Sequence, residues 1–74
     1  MLVKLEERLK TLRKEQKLRQ SDVAERLGIS VRTYQYYESG GHRPDYETLF
    51  ALADVFGVST DYLLGRSDSR ETIL

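Results

Sequence analysis

The sequence predicts an all-α domain of five short helices, and three observations carry that expectation. Leucines at 2, 5, 9 and 12 recur at intervals of 3, 4 and 3, the spacing of one helix face. Each later apolar stripe runs into a glycine, the residue that most easily takes the left-handed turn after a helix. Apolar and polar residues alternate nowhere, so no strand is expected.

The first helix is expected over about 2–15, its remaining positions filled by Lys, Glu and Arg, all good helix formers. Val23, Ala24 and Leu27 make a second, short stripe that stops at Gly28. Ser30 has the side chain of an N-cap, its hydroxyl placed to accept an orphan N–H. A third helix then runs from about 31 to 38 and stops at Ser39-Gly40-Gly41. Asp45 caps a fourth over about 46–56, with Tyr46, Leu49, Ala53 and Phe56 as its stripe and Gly57 beyond. Ser59 caps a fifth, Thr60 to Leu64, closed by Gly65. Tyr62, Leu63 and Leu64 are consecutive and cannot all face inward, so one is expected to help a dimer contact. Residues 1–65 form the domain, and 66–74 a short polar tail, expected to be loose despite Ile73 and Leu74.

Composition narrows the function. Seventy-four residues with 12 Lys+Arg, 12 Asp+Glu, one His and no Cys have room for one domain. A chain this short buries only about 60% of its unfolded surface, so its core must be efficient. Without cysteine there is no disulfide and no thiolate nucleophile, and one His cannot supply the usual zinc ligands. No cofactor, metal or small-molecule ligand is implied. Apolar runs of two or three residues are far short of the roughly 20 a membrane span needs. Met1 to Lys10 carries five charges, which excludes a signal peptide and leaves a cytoplasmic protein as the expectation. The zero net charge conceals a gradient. Residues 1–20 carry seven bases against three acids, and residues 45–74 two bases against six acids.

The stretch Gln20 to Glu38, within a motif of about 20–39, carries the functional signal. A helix ending at Gly28, a three-residue turn and a new helix at about 31 have helix-turn-helix spacing. Val23, Leu27, Ile29, Tyr34 and Tyr37 are the expected buried positions, and Ala24 is small where the helices cross. At 100° per residue, Thr33, Tyr34 and Tyr37 share one face of the third helix. Val31, Arg32, Gln35 and Tyr36 share the opposite face, with Glu38 on the border. Those outward groups suit the reading of base edges. An arginine can pair bidentately with guanine O6 and N7, and a glutamine with adenine N6 and N7. Val31 and the Tyr36 ring can meet thymine methyls.

These residues resemble the lambda-repressor-like helix-turn-helix family, the Cro and Xre-type regulators of phages and bacteria. The matching stretches are Leu12-Arg13, Gln20 through Ser30, Tyr37-Glu38-Ser39-Gly40, Arg43-Pro44, and Phe56 through Gly65. The resemblance implies a five-helix domain binding double-stranded DNA as a homodimer, in the cytoplasm of a bacterium or encoded by a phage, at the nucleoid. It implies a repressor, not an enzyme, on a pseudopalindromic operator with the third helix in the major groove. Val31, Arg32, Gln35 and Tyr36 become base readers; Gln20, Ser30, Thr33 and Arg43 contact the DNA backbone, with Lys10, Arg13 or Lys17 as further candidates. Arg13 and Glu38 match a structural ion pair. The chain departs from the family pattern at three places. Arg19 stands where Ser or Thr usually caps the second helix, so Ser21 is a candidate cap that would re-aim Gln20. Lys17 replaces the Gly or Asn of a turn where a left-handed backbone is strained without them. Tyr34 and Tyr37 replace aliphatic residues.

Other candidates carry less. His42, in a glycine-rich loop, reads as a solvated residue or a phosphate contact. Glu6 and Glu7 are adjacent and cannot share a helix face, and no apolar pocket is expected to hold a Ser-His-Asp triad and substrate. The rival reading is a protein-interaction module of the same fold, of antitoxin or adaptor type. Zero net charge and the tyrosines at 34, 36 and 37 favour it, since Tyr is enriched at protein interfaces.

Overall fold

A computed structural model describes residues 4–71. Five helices follow one another: α1 Leu5–Glu15, α2 Gln20–Leu27, α3 Val31–Ser39, α4 Tyr46–Phe56 and α5 Thr60–Leu63. No strand occurs among the described residues. The core lies where α1, α2, α4 and α5 converge behind α3. Its fully buried side chains are Leu9, Leu12, Val23, Tyr34, Leu52 and Leu63. Ala24 is buried with them, and Leu27, Ile29 and Tyr37 pack half-buried at the margin.

The helix starts follow capping chemistry. Ser30, Asp45 and Ser59 each accept an N–H three residues on, from Thr33, Thr48 and Tyr62. The stops repeat one hydrogen-bond pattern. After α2, Gly28 N–H donates to Glu25 O and Ile29 N–H reaches back to Ala24 O. After α4, Gly57 and Val58 do the same to Asp54 and Ala53. This double closure needs a left-handed residue at its first position. Gly28 and Gly57 supply it at φ 70° and 69°. After α1 the same closure runs from Lys17 to Lys14 O and from Leu18 to Arg13 O. There the left-handed residue is Lys17, at φ 57°, among the described residues the only non-glycine with positive φ.

Four expectations change. The first helix begins at Leu5, and Met1 to Val3, with the Leu2 of the stripe, lie outside the described residues. In α4 the inward stripe is Leu49, Leu52, Ala53 and Phe56. Tyr46 is 68% exposed, because the first turn overhangs the core, and its ring rests edge-on against exposed Phe50 at 5.9 Å. The fifth helix ends at Leu63, and Leu64, 40% exposed, is the outward one of the three apolar neighbours. The expected loose tail is tied down as far as Glu71. Ser59 N–H donates to Arg70 O at 2.8 Å, and the Arg70 guanidinium makes two bonds to Glu15 at 2.9 and 3.1 Å. Asp68 meets Arg8 at 3.0 Å, and the guanidiniums of Arg8 and Arg70 both lie over the Tyr62 ring. These ties are backbone bonds and charge pairs, to which hydrophobic periodicity is blind. Ile73 and Leu74 lie outside the described residues.

The Schellman-type stops yield a paired prediction. Lys17→Gly removes the left-handed strain and should stabilise the domain by about 1 kcal/mol, or ~4–8 °C in Tm. Gly28→Ala introduces the same strain and should lower stability by about 1–2 kcal/mol, although nothing lies within 4 Å of the added methyl. Thermal melts of both variants check it; equal shifts in one direction would show that backbone φ is not the cause.

Candidate nucleic-acid interface

Three consecutive residues aim α3. Gly28 reverses the chain, Ile29 turns its side chain onto the core, and Ser30 caps the new helix. Tyr34 then points into the core, Thr33 and Tyr37 lie half-buried, and the far face is left to solvent. That face carries Val31 (38% exposed), Tyr36 (36%), Arg32 and Gln35, all exposed. Arg32 Nε donates to Tyr36 Oη at 3.3 Å, and its guanidinium carbon sits 5.9 Å from the ring centroid. Ser30 is exposed, but its Oγ accepts from Thr33 N–H at 3.1 Å and lies 2.9 Å from Thr33 Oγ1. Arg43 is exposed on the loop after α3.

His42 is not simply solvated. Its ring meets Tyr36 edge-on, with centroids 4.8 Å apart. Gly41 makes room for this stack, since a Cβ there would come within 3.1 Å of Tyr36 Cδ1. The second glycine of Gly40-Gly41 had read only as a helix stop, and nothing else in the sequence signals this role.

Arg13 and Glu38 meet behind the face. Arg13 Nε donates to Glu38 Oε2 at 2.6 Å and Nη2 to Oε1 at 3.0 Å. Arg13 Nη1 also donates to Leu18 O at 3.1 Å, tying in the turn before α2. The Glu38 side chain is 2% exposed and that of Arg13 14%. Burial works to raise the Glu38 carboxyl, but hydrogen bonds from Arg13 and Gln20 and the Arg13 charge outweigh it, leaving it below the ordinary range. The hydrogen bond to Glu38 in turn raises Arg13. Arg13, considered above for backbone contact, is thus committed inside the protein. The Tyr34 hydroxyl lies buried without a well-formed hydrogen bond.

Gln20 opens α2 and joins this pair to the outer face. Its Nε2 donates to Glu38 Oε1 at 3.2 Å, and its Oε1 accepts from Gln35 Nε2 at 3.1 Å. Arg19, not Ser21, is the N-cap residue. Asp22 Oδ2 accepts the Arg19 N–H at 2.7 Å, replacing the missing Ser or Thr from three positions on. The helix therefore starts early enough to keep Gln20 beside α3.

Among the described residues, acids pair with Arg8, Arg13, Arg19 and Arg70, while Arg32 and Arg43 have no acidic partner within 4.0 Å. The exposed face of α3 and the following loop therefore keep their positive charge. A cleft of about 440 Å³, larger than expected, opens between Leu5, Tyr37, His42, Arg43, Leu49 and Leu64. It brings no serine or aspartate to His42, so it assembles no triad.

Comparison with known proteins is consistent with this geometry. A family model described as Helix-turn-helix matches residues 9–63. The chain is 43% identical over 67 residues to the HTH-type transcriptional regulator YqaE of Bacillus subtilis, covering 90% of this chain and 57% of that one. It is 41% identical over 64 residues to the cryptic phage CTXphi transcriptional repressor RstR of Vibrio cholerae, covering 86% and 57%. The chain thus spans little more than half the length of these curated relatives. Among solved structures it superposes on the P22 c2 repressor, crystallised with a synthetic operator, at a TM-score of 0.82. That match has 31% identity and covers 88% of this chain and 98% of that one.

The ion pair generates two predictions. Arg13→Met strands a buried carboxylate and should cost about 2–3 kcal/mol, at or below the low end for a buried pair because Arg13 reaches the surface. Adding Glu38→Met should recover part of that loss, because no charge is then left unpaired. Urea titrations of the single and double variants measure the difference; a double variant weaker than Arg13→Met refutes the argument. The second prediction concerns acid. Because the folded-state pKa of Glu38 is depressed, its contribution is complete above the unfolded value and is lost as pH falls through the folded one. Stability should fall between about pH 5 and 3, and Glu38→Gln should flatten that fall in melts across the range.

Proposed function

The chain belongs to the helix-turn-helix family, and on that premise we propose that it is a sequence-specific regulator of transcription that binds double-stranded DNA. The observation that carries the proposal is the solvent-facing side of α3, which presents a guanidinium, an amide, an aromatic ring and a small apolar group together. In this reading α3 enters the major groove. Arg32 reads guanine through O6 and N7, Gln35 reads adenine, and Val31 and Tyr36 touch thymine methyls. Ser30, Thr33 and Arg43 hold the phosphates, and the first N–H groups of α2 at Gln20 point at another.

The protein acts as a homodimer on a pseudopalindromic operator, and blocking polymerase makes it a repressor. A domain measuring 30 × 23 × 21 Å fits the geometry, since two side by side set recognition helices about 34–36 Å apart, one turn of DNA. Leu64 is the outward apolar group available to such a contact. A cytoplasmic, nucleoid-associated protein follows from this reading, and no described helix is long and apolar enough to cross a membrane. The protein-partner alternative loses its main support, because Tyr34 and Tyr37 turn inward and only Tyr36 remains on the face.

Selection from a random duplex library at about 100 mM salt should enrich a two-fold symmetric motif. Arg32→Ala should then weaken preference at one position per half-site by about tenfold, leaving the others intact. Arg43→Ala should weaken all sequences alike and flatten the log–log salt dependence by about 0.9. An unchanged preference in Arg32→Ala removes the base-reading role. Enrichment of nothing by folded protein favours the protein-partner reading.

A further inference from the structure

We infer that Gln20 is a positioning residue, which fixes the direction of the Gln35 amide and thereby makes the site prefer adenine over guanine. The inference rests on the proposed role of Gln35 in base contact. Its starting point is the polarity of the hydrogen bonds behind the face. Glu38, ionised and paired with Arg13, can only accept. The group that Gln20 turns toward it at 3.2 Å must therefore be its NH₂. That choice leaves the Gln20 carbonyl facing α3, where only a donor is welcome. Gln35 answers with its own NH₂, at 3.1 Å.

One N–H of Gln35 is thus held inside the protein. What remains toward solvent is its carbonyl oxygen beside the second N–H. This is the complement of adenine, which offers a donor at N6 and an acceptor at N7. Guanine offers two acceptors on the same edge, O6 and N7. Against guanine, the Gln35 carbonyl would face O6 with no proton between them. Turning the Gln35 amide over would require turning Gln20 as well, and that would set the Gln20 carbonyl against the Glu38 carboxylate. The buried ion pair therefore dictates which purine the exposed amide accepts. Both ends of the Gln20 amide are occupied within the protein, so it is a positioning residue before it is a phosphate contact.

The test uses the whole chain with Gln20→Met, which keeps the length of the side chain and removes both hydrogen bonds. Gln20→Ala is run in parallel, and circular dichroism verifies that each variant keeps its helices. Gln35→Ala first identifies the operator position that Gln35 reads, and duplexes carrying adenine or guanine there are then compared. The wild type should favour adenine by about tenfold, and the Gln20 variants by less than about threefold, with other positions and the salt slope unchanged. Uniform weakening with a salt slope flatter by about 0.9 overturns the inference, because Gln20 would then be a phosphate contact only. A Gln35→Ala variant that alters no position overturns it too. Failure of the wild type to select any motif is a different result, and it would bring down the regulator reading itself.

Discussion

One carboxylate sets the geometry of this domain. Glu38 sits at the last turn of α3 with its side chain almost wholly out of water, where an unpaired ionised carboxylate would be very costly. Arg13 makes it tolerable through two parallel bonds, and the same guanidinium holds Leu18 O before α2. A single group on α1 thereby fixes the end of α3 and the approach to α2. A buried ion pair of this kind is often no more stabilising than apolar side chains of the same volume. Its planar, two-pronged geometry supplies direction instead, which oil-like contacts lack. The angle at which α3 leaves the core is a matter of direction.

The chain reversals complete that geometry. Each helix-ending closure tucks an apolar residue onto the core directly after the left-handed position: Leu18 after Lys17, Ile29 after Gly28, Val58 after Gly57. The turn between α2 and α3 is therefore no flexible hinge. It is left-handed at its first residue, buried at its second and capping at its third. Lys17 is the one place where the pattern is met by a residue that resists it. The closure persists because Arg13 and Leu18 hold both sides of that turn.

Helix number, order and most boundaries were legible in the sequence, because capping residues, glycine stops and 3.6-residue spacing are local signals. The division of α3 into Tyr34 inside and Val31, Arg32, Gln35 and Tyr36 outside followed from angle alone. What periodicity could not show is pairing between distant residues. Arg8, which reads as one more surface base, is buried beneath Tyr62 and reached by Asp68. The tail looked loose because it lacks apolar residues, yet Ser59 and Glu15 bind it. Tyr46 was misplaced because a 3–4–3 stripe states which residues share a face and not how far the core extends beneath it. The Gln20–Gln35 contact and the stack of His42 on Tyr36 depend on side-chain reach between elements, on which spacing is silent.

Zero net charge argued against a polyanionic partner only while the charges were counted together. The four ion pairs remove acids and bases in equal number, so they leave the total at zero while changing where the remainder lies. Arg32 and Arg43 keep their charge toward solvent, whereas the acid-rich half of the sequence forms α4 and α5, which pack on α2 and α1. The domain is 21–30 Å across, two to three times the screening length of about 8–10 Å at ordinary salt. An approaching phosphate therefore senses the face it meets and little of the opposite end. For a protein this small the relevant quantity is the charge within one screening length of α3, and there the arginines have no acidic partner in contact.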